Sequence, residues 1–109
     1  MTDEKIKALV KKWQTRLKLD HWDVRVKVVV PSKFRNGNCG DVNYDCEYLN
    51  ATIRLSRDLS RAELPQIAIH ELLHLHLAPM GVVDGTPEHK AEEQAAQILS
   101  RVIKEAYEN

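Results

Sequence analysis

The stretch LPQIAIHELLHLHLA at residues 64–78 constrains this chain more than any other, because its apolar residues leave no continuous polar face. Leu64, Ile67, Ala68, Ile69, Leu72, Leu73, Leu75, Leu77 and Ala78 would surround the axis of a helix, and a helix without a wet side belongs at the centre of a fold. Other elements must pack around it. Its limits are written locally: Ser60-Arg61-Ala62-Glu63 has the form of a capping box, Pro65 keeps the regular helix from starting much before Glu63, and Pro79 and Gly81 end it. A helix is therefore expected over residues 63–78. The apolar stretch 64–80 carries His70, Glu71, His74 and His76, four groups too costly for a lipid-facing span, so no membrane crossing is expected.

Periodicity supplies the surroundings. In residues 3–19, Ile6, Leu9, Val10, Trp13 and Leu17 recur at three- and four-residue steps behind Thr2 or Asp3 as cap, an amphipathic helix whose lysines fall on solvated faces. Val24, Val26, Val28 and Val30 alternate with Arg25, Lys27 and Val29, a half-buried strand that ends at Pro31. Residues 32–40, with Asn36-Gly37-Asn38, read as a loop or hairpin tip, and strands are expected over 41–48 and 51–56 with Asn50 as the turn between them. Residues 79–87 connect to a last helix that begins near Pro87 and runs to about Tyr107. The expected fold is one α+β domain over residues 1–109: an N-terminal helix, a three-stranded sheet, a central helix and a C-terminal helix, with the helices covering one sheet face.

A chain of 109 residues buries roughly two-thirds of its unfolded surface, enough for one modest core without disulfide staples. Sixteen basic side chains balance sixteen acidic ones, which removes the electrostatic case for nucleic acid or an anionic membrane as partner. MTDEKIKALVKKW lacks the apolar region of a secretory signal, so a cytoplasmic location is expected. In that reducing compartment Cys39 and Cys46 read as reduced, partly buried thiols, since two cysteines alone cannot fill a tetrahedral metal shell.

The chemistry sits in His70-Glu71-Leu72-Leu73-His74, an HExxH pattern inside the central helix. On a helix, His70 and His74 lie only about 40° apart and one turn apart, so both imidazoles can grip one ion, while Glu71 sits beside that ion within reach of a water it activates. Burying these three groups without partners costs several kcal/mol, whereas a metal makes each a bonded group. A third ligand is expected from the last helix, which offers Glu88, His89, Glu92 and Glu93. Glu92 shares a face with Ala95, Ala96, Leu99, Val102 and Ile103 and is expected to point inward, and Glu93 aligns with Gln97, Ser100, Arg101 and Lys104 and is expected to point to water. Glu92 is thus the expected third ligand. His89, one turn earlier on almost the same face, is the alternative ligand, a donor to one, or a group that steadies a developing oxyanion. His76 lies about 200° from His74 and is expected to be structural, and His21 to sit at the surface or in a cap. Nothing in the sequence chooses among Tyr44, Tyr48 and Tyr107 as oxyanion donors.

HELLH followed by an acidic helix resembles the zincin metallopeptidases, and more narrowly the small gluzincin-type and phage-type metallopeptidases of about this length. WQTRLKLDHWDVRV, HELLHLHLAPM and HKAEEQAAQIL carry the likeness over most of the chain. The resemblance implies a minimal zincin-like domain with one Zn²⁺, His70 and His74 as metal ligands, Glu71 as catalytic base and Glu92 as third ligand. The spacing from His74 to His89 is also similar to that of SprT-like zincins, in which a third histidine closes the site, although Lys90 stands where that pattern has glycine. Ala96 is the fourth residue after Glu92, so an orienting carboxylate for a ligand histidine has to come from another position. The expected activity is hydrolysis of a peptide or protein substrate held extended on a sheet edge, with Glu71 taking a proton from water and passing it to the leaving amine. The competing expectation is a non-catalytic interaction module in which zinc staples the two long helices.

Overall fold

The computed structural model describes residues 2–34, 37–81 and 85–108. Thr2 accepts the N–H of Lys5, and Asp3 and Glu4 occupy the first turn, so α1 (Asp3–Arg16) begins with its exposed donors and positive dipole end compensated. It ends three residues before the expected position 19, because Lys18 adopts a left-handed conformation with φ 62°. Gln14 closes this turn. Its buried amide donates to the carbonyls of Leu19 at 3.0 Å and Trp22 at 2.8 Å, which satisfies two backbone groups the turn leaves inside.

The sheet comprises β1 (Asp23–Val29), β2 (Gly40–Asp45) and β3 (Asn50–Ser56) in the order β1-β3-β2. β3 is central, parallel to β1 and antiparallel to β2. The register sets Val26 and Val42 against Ile53, so the valines predicted to face inward share one face with the buried Ala51, Ile53 and Leu55. β2 stops at Asp45, short of the expected Tyr48, because Asp45 Oδ1 accepts the N–H groups of Glu47 and Tyr48 and turns the chain. Leu49, at φ 53°, completes the reversal, and Asn50, expected as the turn itself, opens β3. Of the expected loop tip, Asn36 lies outside the described residues, as do positions 82–84 of the expected connection.

The capping box forms as written: the N–H of Ser60 donates to Glu63 Oε2 and the N–H of Glu63 to Ser60 Oγ. It leads into α2 (Leu64–Leu77), followed by a 3₁₀ turn (Ala78–Met80) that ends at Gly81 with φ 65°. Buried residues lie all round α2, which packs against α1, the sheet and α3 (Pro87–Glu108). No helix among the described residues is long and apolar enough to cross a membrane.

The packed face of α3 corrects the sequence expectation. Leu99 and Val102 are 44% and 55% exposed, and the fully buried residues are the small Ala96 and Ser100. The line through Glu93, Ala96, Ser100 and Ile103 is the one turned to α2, because small side chains let two helix axes approach. The far end of α3 is tied back to α1 by Arg16, whose guanidinium lies 4.8 Å from the Trp13 ring centre and 4.6 Å from that of Tyr107.

One close approach positions β2 against the central helix. A Cβ on Gly40 would meet Ile67 Cγ2 at 3.0 Å and the Arg54 carbonyl oxygen at 3.2 Å, so a side chain here is crowded between strand and helix and its neighbours must give by a few tenths of an ångström. Gly40→Val is expected to cost about 1–3 kcal/mol, measured as a lower midpoint in urea or thermal unfolding.

Candidate metal and catalytic site

The HExxH turn brings His70 and His74 to one side of α2, with ring centres 5.1 Å apart. Their Nε2 atoms converge on a single carboxylate. Nε2 of His70 is 3.2 Å from Glu93 Oε2 and Nε2 of His74 is 3.0 Å from Glu93 Oε1. Among the described residues these three side chains form the group able to hold a metal ion, one ligand atom from each lying within 4.8 Å of the others. Glu92 points inward as the sequence implies, but it goes to the other side of the ring, with Oε1 2.7 Å from His74 Nδ1. The carboxylate of the three-residue group is thus Glu93, which the sequence reading turned to water, while Glu92, the expected ligand, stands behind His74.

The donor set fits a cation. His74 Nδ1 faces the Glu92 carboxylate and His70 Nδ1 faces the amide oxygen of Gln97 at 3.1 Å, so a neutral ring that donates Nδ1–H to its acceptor presents a lone pair at Nε2. Two such lone pairs then face the oxygens of Glu93, all of them electron-rich. A shared divalent ion would satisfy all three, and Zn²⁺ takes imidazole and carboxylate donors of this kind. Gln97 was not singled out from sequence. Its signal is legible once Glu93 is recognised, since it lies four residues on, about one turn along the same helix.

Glu71 stands beside this cluster and is buried. Burial first, and then the nearby charges of Glu93 and Asp41, together raise its pKa from the usual 4.5 to about 8. Asp41 is itself paired with Arg54, whose Nε lies 2.8 Å from Asp41 Oδ1. His70, Glu71, His74, Glu92 and Glu93 all line one cleft of about 570 Å³, walled on the opposite side by Gly40, Val42 and Tyr44 of β2. His89 also lines it, with Nε2 3.8 Å from Glu93 Oε1, close to the cluster but outside the three-residue group.

β2 is an edge strand. Ser56 N–H donates to the Cys39 carbonyl, which marks Cys39 and Ser56 as a hydrogen-bonded antiparallel pair. Because such pairs alternate, Gly40 and Val42 turn their backbone N–H and C=O groups away from β3, at the margin that lines the cleft.

The remaining candidates lie elsewhere. Glu88 is exposed at the start of α3, and a ring nitrogen of His76 bonds the Leu17 carbonyl at 2.6 Å, tying α2 to the end of α1. His21 lies against Trp22, and Tyr107 packs on Trp13, while Tyr44 is the tyrosine at the cleft. Cys39 and Cys46 are free and exposed, where partial burial was expected. They bracket the extended β2, which holds them roughly 20 Å apart and beyond disulfide reach. Comparison of the chain with protein-family models, with curated proteins and with solved structures finds no match.

Proposed function

We propose that this chain is a zinc-dependent peptidase of the zincin type. One observation carries the proposal: a single cleft joins the His70, His74 and Glu93 donor set to a buried glutamate, Glu71. A divalent ion bound there supplies polarisation of a carbonyl and acidification of a water. Glu71 is buried beside the cluster, and in its deprotonated form, which a bound cation would favour, it serves as general base toward the attacking water and then, protonated, as acid toward the leaving amine. The outward backbone groups of Gly40 and Val42 hold the substrate peptide in extended form by strand addition, which brings a scissile carbonyl over the cluster.

The rival role, a zinc staple between α2 and α3, calls for a closed set of four protein ligands, and three ligands facing an open cleft support the enzyme instead. Exposed free thiols such as those of Cys39 and Cys46 persist best in a reducing compartment, and the cytoplasm is the compartment proposed. Protein purified without chelator is expected to carry about one zinc per chain by elemental analysis, and to cleave members of a quenched fluorescent peptide library. Activity should vanish with a zinc chelator and return with added zinc. A chain that takes up no zinc on reconstitution ends the metal assignment, and a zinc-loaded chain that cleaves no peptide leaves the staple.

A further inference from the structure

The two imidazoles are supported unequally. His74 Nδ1 meets a carboxylate oxygen of Glu92 at 2.7 Å, and these side chains are only 8% and 9% exposed. His70 Nδ1 meets the neutral amide oxygen of Gln97 at 3.1 Å, and Gln97 is exposed. A carboxylate that accepts the ring N–H makes the opposite nitrogen a stronger donor than a neutral amide does, and a buried charge-assisted bond also fixes the ring more firmly.

The arrangement follows from helix geometry. Glu92 and Glu93 project from α3 about 100° apart, so they address opposite nitrogens of the same His74 ring, Nδ1 at 2.7 Å and Nε2 at 3.0 Å. Adjacent glutamates on one helix therefore divide into an orienting group and a ligand. Gln97 does for His70 what Glu92 does for His74, but without charge and at the rim of the cleft.

We infer that Glu92 is a positioning residue that makes His74 the anchoring arm of the site, and that Gln97 leaves His70 the weak arm through which the ion exchanges. Metal affinity is then set below what the backbone permits, and one side chain sets it. The inference rests on the metal-site assignment above.

The test is titration of the metal-free full chain with Zn²⁺, and separately Co²⁺, against a chromophoric chelator, together with the rate of zinc release. Glu92→Gln is expected to weaken zinc about ten- to a hundredfold, and Gln97→Glu to tighten it by about tenfold and slow its release. The unfolding midpoints of the metal-free variants check that both are folded. If Gln97→Glu leaves affinity unchanged or weaker, or Glu92→Gln binds like the parent, the inequality of the arms is overturned while the metal site stands. Loss of all zinc binding in Glu92→Gln makes Glu92 a ligand and overturns its positioning role. A parent that binds neither ion overturns the inference and the metal site together.

Discussion

Glu71→Gln is expected to lower kcat for peptide hydrolysis by about 10²–10⁴-fold while zinc content and fold are retained. The amide matches the carboxyl in shape but cannot accept the proton that the attacking water must lose. The same substitution leaves a signature in the metal-free chain. Burial first, then the charges of Glu93 and Asp41, keep Glu71 protonated up to about pH 8 in the folded protein, against the usual value of 4.5. The folded chain thus binds this proton more tightly than the unfolded chain. The stability it contributes is fully present below about pH 4.5, falls as pH rises, and is lost once pH passes about 8. Glutamine does not titrate, so the metal-free variant should melt above the parent at alkaline pH, and the gap between them should shrink toward acid pH. Zinc stabilises the charged carboxylate beside it and should narrow the alkaline gap. A variant that still hydrolyses peptides, and melts like the parent at pH 9, removes Glu71 from both roles.

Glu93→Ala is expected to abolish zinc retention through dialysis, because it removes the one carboxylate that both Nε2 atoms address. Glu92→Ala should retain zinc, bound more weakly, and should cost stability, because it leaves a nearly buried His74 Nδ1 without its acceptor, a loss of about 1–3 kcal/mol. The comparison is made by elemental analysis after equilibrium dialysis, alongside urea unfolding of the metal-free forms. Retention of zinc by Glu93→Ala with complete loss from Glu92→Ala reverses the assignment of the two glutamates. Hydrolysis should follow zinc occupancy in both variants, which separates the loss of the ion from the loss of the base in Glu71→Gln.

The sequence by itself determined the features that depend on neighbours a few residues apart. Ser60 and Glu63 bond reciprocally in the turn that leads into α2, because both partners of each bond lie within one turn. The central place of α2 follows from an apolar surface with no side that water can cover, and the pairing of His70 with His74 from the angle between residues i and i+4. The three strands, each bounded by turn residues, were legible for the same reason, although Asp45 ended β2 earlier than the pattern implied.

Tertiary structure alone decided which ring nitrogens each glutamate meets. Leu99 and Val102 pull a hydrophobicity-based reading of α3 toward their own side and carry Glu92 with them. Packing centred the contact on Ala96 and Ser100 instead, the small residues that let α3 approach α2, and it kept Glu92 inward on one flank with Glu93 on the other. Hydrophobicity measures a residue's preference for leaving water and says nothing about what stands opposite. The rotation that seats Ala96 and Ser100 against α2 sets Glu93 before both Nε2 atoms and Glu92 behind His74, and it brings Gln97, to which no local pattern pointed, against His70. The edge position of β2 was decided in the same way, by a strand order that depends on long-range pairing.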